Sequence, residues 1–107
     1  MRQKKFTLPI FGFQYKVVIV ETTEEAKKEY PDWEDEVWGR VYTDRHGHAE
    51  VVIRETSSYA SIVHECLHLK DLILSFFGIK PDYGNDELDA YLLAHLFQNV
   101  KDFKEKK

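Results

Sequence analysis

Residues 64–68 read His-Glu-Cys-Leu-His, an H-E-x-x-H pattern that constrains the structure of this chain more than any other feature. Histidines four residues apart lie about 40° apart on one face of an α-helix. Both imidazoles can then reach one metal ion at about 2.0–2.1 Å, the usual zinc–nitrogen distance. The pattern therefore predicts a helix that presents His64 and His68 as ligands of one Zn²⁺ per chain. The alternative is a pair of surface histidines on an amphipathic helix.

Glu65 lies about 60° round the same helix from His68. From there its carboxylate can hold a metal-bound water without displacing it. A glutamate in this place is typical of zinc hydrolases, where it takes a proton from the attacking water. We therefore predict Glu65 as the general base.

The residues around the pattern favour a helix whose histidines face a cleft. Ser57 and Ser58 can cap its start, and it is expected to run to about Phe77, where Gly78 ends it. An apolar stripe falls about 140–220° from His64 and comprises Ile62, Cys66, Leu69, Ile73 and Phe77. Because this stripe faces the core, the histidines face away from it, and Cys66 is expected to be a buried apolar residue and not a ligand.

A catalytic zinc site needs a third protein ligand and keeps one position open for water. Residues 78–84 form a breaker-rich connection, after which Asn85 and Asp86 are expected to cap a second helix that continues to Phe103. Glu87 falls in the first turn of that helix and can be brought opposite the histidine pair. The alternatives are Asp86, Asp89, or no carboxylate ligand, with the acidic residues only favouring the positive end of the helix.

At this point the chain resembles a known family. His64-Glu65-x-x-His68, followed after eighteen residues by Glu87, is similar to the H-E-x-x-H…E pattern of gluzincin metallopeptidases and has the spacing of zinc aminopeptidases. The resemblance covers about residues 58–103, and the whole chain is similar to minimal, often phage-encoded, single-domain zinc peptidases. It implies a zincin-like fold and a zinc site that hydrolyses peptide bonds. A metzincin is excluded because Leu74 stands where that pattern requires histidine.

Larger gluzincins carry a Tyr or His on a further domain to stabilise the oxyanion, whereas only twenty residues follow Glu87 here. A donor must then come from within this domain, and the candidates are Tyr83, Tyr91, His95, His46 and His48. Tyr91, one turn after Glu87, could bond a ligand or line the pocket, but such a residue is more often a core aromatic, and His95 is similarly divided between supporting a ligand and lying on the helix surface. Asp71 is a candidate to orient His68, or a solvated carboxylate.

Upstream of the site the sequence predicts mainly strands. Residues 15–21 are rich in β-branched side chains, and residues 37–43 and 48–55 form two strands around the turn 44–47. Between them, residues 22–30 are expected to form a short helix with a capping box of Thr22 and Glu25.

This order predicts an α+β, zincin-like domain covering residues 1–107, with a small twisted sheet packed on the active-site helix and on the ligand helix that follows. We expect the strand at 48–55, directly before the active-site helix, to border the cleft as an edge strand. Such an edge can pair with an extended peptide, which favours peptide hydrolysis, although small amide substrates fit the same chemistry.

The composition is that of a soluble protein. Of its 107 residues 43% are hydrophobic, and its net charge of −4 gives no reason to expect nucleic acid or a membrane as partner. The absence of a signal-peptide core and the single cysteine predict a cytoplasmic location. The basic termini, residues 1–5 and 101–107, are expected to be short solvated ends.

The sequence thus predicts a zinc-dependent metallopeptidase acting on a peptide or protein substrate. Two alternatives stay open. One is a non-catalytic zinc-binding or interaction protein, for which four protein ligands would be expected. The other is a narrowly specific regulatory protease of a phage or mobile element.

Overall fold

The computed structural model describes residues 1–9, 11–44, 46–80, 84 and 87–106. The chain forms four strands and three helices in the described ranges. In chain order these are β1 (Arg2–Thr7), β2 (Gln14–Val20), α1 (Thr23–Glu29), β3 (Gly39–Thr43), β4 (Ala49–Arg54), α2 (Tyr59–Phe76) and α3 (Glu87–Glu105). The predicted α+β class is confirmed.

The four strands form one mixed sheet in the order β1-β2-β4-β3. The two central strands, β2 and β4, are parallel, and each outer strand pairs antiparallel with its neighbour. Residues 17–20 of β2 are all buried, because helices or loops cover both faces of the sheet there.

Successive side chains of a strand point to opposite faces of the sheet, so the apolar residues form two clusters, one on each face. Odd-numbered residues such as Val17, Ile19, Val51 and Ile53 join the main core with side chains of α2 and α3. Even-numbered residues face α1 and its following loop, in a smaller cluster of Val18, Val20, Val52, Ala26 and Trp33. The capping residue Thr22 accepts a bond from the Glu25 amide at 3.1 Å, as predicted, while the Glu25 carboxylate accepts from the Glu21 amide.

Helix α2 forms as the sequence predicts. The Ser58 side chain caps its start by accepting from the Ser61 amide at 3.2 Å, and Gly78 follows its end with a φ of 70° that favours glycine. The apolar stripe of Ile62, Cys66, Leu69 and Ile73 is fully buried against the sheet. Phe77, predicted to continue this stripe, is 39% exposed and stacks on Phe11.

Helix α3 returns antiparallel to α2. Near the connection between the two helices, Lys70 Nζ of α2 lies 3.1 Å from Asp89 Oδ2 of α3. At the other end of the pair, the Tyr59 ring packs edge-on against the Phe97 ring. The buried side of α3 consists of Leu92, Leu96 and Val100. The predicted caps Asn85 and Asp86 lie outside the described residues.

The N-terminal end differs from the prediction, because residues 2–7 form strand β1 and are not a solvated tail. Arg2 explains part of this. Its guanidinium donates to the carbonyls of Phe103 and Lys104 at the end of α3, and pairs with Glu55 at 3.0 Å. The C-terminal end was also expected to be solvated, yet α3 extends to Glu105. The bonds of Arg2 to α3 join residues about a hundred positions apart, which sequence patterning does not reveal.

The prediction of the edge strand is wrong. Strand β4 lies between β2 and β3 and therefore has both of its edges paired. In the described part of the chain β3 is the strand with a single neighbour on this side of the sheet, and it is β3 that lies along α2 as the outer border. The hairpin order β3–β4 was correct, but the parallel pairing of β4 with β2 moves β4 to the interior.

The packing of Cys66 gives the first prediction. Its side chain is fully buried, and burial raises the pKa of its thiol to about 12, with a further contribution from the charge of Glu65. Cys66→Ala should cost about 1–2 kcal/mol of unfolding free energy as a small core truncation, measured by urea denaturation. Zinc binding should be unchanged, and thiol reagents should react slowly with the native protein. Rapid labelling or zinc loss in the alanine variant would contradict this packing.

Candidate metal centre

The histidine pair of α2 has the geometry of a chelating site. His64 and His68 are both exposed, and their Nε2 atoms are 3.2 Å apart. Two ligands about 2.0–2.1 Å from a tetrahedral zinc ion are separated by about 3.3–3.4 Å. The observed separation therefore fits one shared metal ion with little movement of either ring.

Glu65 follows His64 on the same helix, but its environment differs from that of the two histidines. Its side chain is only 7% exposed, and no hydrogen bond or ion pair reaches its carboxylate from the residues that the structure describes. Burial raises the pKa of this carboxyl, while the charges of His64, His68 and Arg40 act in the opposite direction. An unpaired, desolvated carboxylate of this kind is a good proton acceptor.

His64, Glu65 and His68 each offer one ligand atom, and these three atoms lie within 4.8 Å of one another. At this range the carboxylate is close enough to bond a water held by the same metal as the histidines. The arrangement fits the predicted division between two nitrogen ligands and one base.

Two cavities open on either side of Glu65, between α2 and the start of β3. One, of about 580 Å³, contains His68 and is lined further by Arg40, Val41, Asp71, Leu72 and Ser75. The other, of about 440 Å³, contains His64 and is lined further by Val37, Trp38, Gly39, Ala60 and Ser61. Glu65 lines both cavities, although most of its side chain is buried.

Sequence analysis missed Arg40, which the structure brings to this site. Its guanidinium donates to the Asp32 carbonyl at 3.1 Å, pairs with the Asp32 carboxylate at 3.0 Å and lies over the Tyr42 ring. Arg40 thus stands beside Glu65 in a fixed position. No spacing in the sequence indicates it, since Arg40 reaches the site only through the pairing of β3 with β4.

The candidate third ligand, Glu87, is the exposed first residue of α3 and is not part of the group of three close ligand atoms. Its role as a ligand stays a prediction. Of the alternatives, Asp89 bonds Lys70, and Asp86 lies outside the described residues.

Lys70 also forms an ion pair with Asp71, the residue predicted to orient the His68 ring. This lysine is buried and lies 3.0 Å from Asp71 and 3.1 Å from Asp89. Burial lowers the pKa of Lys70, but its bonds with both carboxylates outweigh that effect and raise it. Asp71 lines the cavity that contains His68, and the bond the structure shows for it is to Lys70.

Of the predicted oxyanion donors that the structure describes, none has a recorded contact with His64 or His68. Tyr91 stacks on His95, and His95 contacts Asn99, which donates to the Tyr15 hydroxyl of β2 at 2.8 Å. These residues lie on the flank of α3 that faces β2. His48 pairs with Asp44 at the turn between β3 and β4, with His46 beside it, and Tyr83 lies outside the described residues.

No protein-family model matches the chain, and no curated protein or solved structure matches it either. Within the described ranges, no helix combines the length and apolarity that crossing a bilayer requires.

The histidine pair, with Glu87 as the predicted third ligand, leads us to expect one zinc ion per chain. His64→Ala, His68→Ala and Glu87→Ala should each weaken zinc binding by more than the roughly 10–100-fold typical of residues that only support a ligand. His46→Ala, which removes a histidine outside the group, is the matched control and should bind as the wild type does. The measurement is competitive titration against a chromogenic chelator.

The assignment of the third ligand is tested by the same titration. If Glu87→Ala keeps wild-type affinity while Asp86→Ala or Asp89→Ala loses it, the third ligand is not Glu87.

The environment of Glu65 predicts a pH-dependent stability effect in metal-free protein. The pKa of the Glu65 carboxyl is higher in the folded than in the unfolded state, where it is about 4.3. The free energy of unfolding therefore falls as the pH rises from the unfolded-state pKa through the folded-state pKa. Glu65→Gln removes this ionisation. The chelator-treated variant should therefore unfold at a higher temperature than the wild type at pH 7, and the difference should narrow below about pH 4.

Exposed Glu34 supplies the control, because Glu34→Gln changes the same charge without a buried carboxylate. Equal melting temperatures of the Glu65→Gln variant and the wild type at pH 7 would contradict the cost assigned to Glu65 ionisation.

Proposed function

We propose that this protein is a zinc-dependent metallopeptidase of the gluzincin type. The observation that supports it most is Glu65, a largely buried residue whose carboxylate has no partner among the described residues, beside two histidine Nε2 atoms that are 3.2 Å apart. A buried carboxylate without a partner is costly, and a general base is a reason for a fold to keep one.

Zinc would be held by His64, His68 and Glu87, with water in the fourth position. When bound, the metal would supply a water of lowered pKa and would polarise the substrate carbonyl. Glu65 accepts the proton of the water as it attacks the carbonyl carbon, and then delivers that proton to the leaving amine. Burial of Glu65 serves both steps, because a carboxyl of raised pKa binds the proton firmly enough to carry it.

The outer edge of β3 supports a peptide as substrate. The Asp44 amide donates to the His48 carbonyl, and the Arg54 amide donates to the Trp38 carbonyl. The backbone groups of the even-numbered residues between positions 38 and 44 are therefore the ones that bond towards β4. In an antiparallel pair this alternation directs the backbone groups of Gly39, Val41 and Thr43 outward. An extended peptide can add there as a further strand, with its backbone running past Glu65.

Hydrolysis is tested by Glu65→Gln. Because Glu65 acts on the water and is not a ligand, this variant should retain one zinc per chain and lose cleavage of a mixed peptide library, as followed by mass spectrometry. Its loss should appear in kcat, since the proton transfer belongs to the transition state. Glu34→Gln should cleave as the wild type does.

Loss of zinc from the Glu65→Gln variant would overturn the assignment of Glu65 as base. Zinc-loaded wild-type protein that cleaves no peptide of the library would contradict a peptidase of broad specificity, and would favour a non-catalytic zinc-binding domain or a narrowly specific protease.

A further inference from the structure

Gly39, the first residue of β3, lies in closer contact with Glu65 than any other amino acid would allow. A Cβ atom added at Gly39 would be 2.8 Å from Glu65 Cγ, 2.9 Å from Ile53 Cδ1 and 3.2 Å from the Val52 carbonyl oxygen. The positive-φ glycines among the described residues are Gly12, Gly47 and Gly78. Gly39 is therefore needed for space and not for its backbone conformation.

The start of β3 is anchored and cannot easily move away from this contact. The Trp38 carbonyl accepts from the Arg54 amide at 3.1 Å and from the Ser57 hydroxyl at 2.6 Å. Ser57 is buried and immediately precedes the capping residue of α2. The strand is thus tied to β4 and to the beginning of the helix that carries Glu65.

Of the three groups around the Gly39 position, the Glu65 side chain is the least confined. Ile53 is fully buried in the main core, and the Val52 oxygen belongs to the backbone of an interior strand. Closely packed cores resist such shifts. The Glu65 side chain has rotatable bonds, opens on two cavities, and its carboxylate has no bond from the described residues to hold it.

We infer that Gly39 is a positioning residue for the reaction: its missing side chain lets β3 press on the Glu65 methylene groups and fix the carboxylate between the two cavities, next to the histidine pair. The contact replaces the hydrogen bonds that commonly hold a catalytic carboxylate. It leaves both carboxylate oxygens available to the water and to the leaving amine. This inference rests on the proposed function only in giving Glu65 a reaction to perform.

The contact itself is tested without any activity. In the NMR spectrum of the zinc-loaded wild type, a nuclear Overhauser effect should connect the Gly39 α protons with the Glu65 γ protons. In a crystal structure of Gly39→Ala, the Glu65 carboxylate should be displaced while His64 and His68 keep their positions. Absence of the Overhauser effect, or an unmoved Glu65 in the variant, would overturn the inference whatever the protein catalyses.

The consequence for hydrolysis is tested by the same variant. Gly39→Ala should retain its zinc, and its cobalt-substituted form should keep the wild-type absorption spectrum, because neither histidine is touched. Its kcat should fall about 100-fold with KM little changed, as expected when a catalytic group is misplaced by about 1 Å. Unchanged kcat, or zinc loss, would overturn the inference.

Two further variants separate positioning from stability. Gly12→Ala also adds a methyl group to a glycine, but nothing lies within 4 Å of it and its φ of 63° makes the change a strain on the backbone alone. It should lower the melting temperature and keep kcat.

Ile53→Val removes the Cδ1 atom near Gly39, so the double variant Gly39→Ala/Ile53→Val should recover part of the kcat lost by Gly39→Ala. A kcat loss in Gly12→Ala equal to that in Gly39→Ala would show that destabilisation is the cause, and would overturn the inference.

If the wild type shows no cleavage that depends on Glu65, the proposed function fails. The Overhauser contact and the position of Glu65 in Gly39→Ala then still decide whether Gly39 fixes this side chain.

Discussion

The burial of one face of α2 against the sheet is the constraint on which the rest of the structure depends. Ile62, Cys66, Leu69 and Ile73 lie on this face, and all are fully buried. Burying a large apolar side chain contributes about 1.5–3 kcal/mol, so the stripe holds the helix in one rotation about its axis. Once that rotation is set, His64 and His68 must face outward on the opposite side, and Glu65 must lie on the flank towards β3.

The position of Glu65 at the boundary between core and surface gives the site its chemical character. A fully exposed glutamate would keep an ordinary pKa and many conformations, while a fully enclosed one would not reach water. Here β3 packs on the Glu65 methylene groups through Gly39, and Glu65 lines two cavities. The raised pKa of Glu65 means that its ionisation lowers the stability of the fold, a cost that is common at functional sites.

A second interaction connects the site to α3. Lys70 points away from the histidines and, buried between the two long helices, bonds Asp71 on its own helix and Asp89 on the other. These bonds fix the beginning of α3 relative to α2, and Glu87 stands two residues before Asp89. The same lysine therefore restrains the helix that carries the proposed third ligand, and it holds Asp89 in an ion pair.

The sequence alone determined what depends on local periodicity. The bounds of α2, its Ser58 cap, the outward histidines, the buried Cys66 and the helical segment after Glu87 all follow from a repeat of 3.6 residues and from capping chemistry. Tertiary structure decided the rest: β1, the interior place of β4, the edge formed by β3, and the approach of Arg40 and Gly39 to Glu65. These features depend on which strands pair, and strand order is set by contacts between residues that are distant in the sequence.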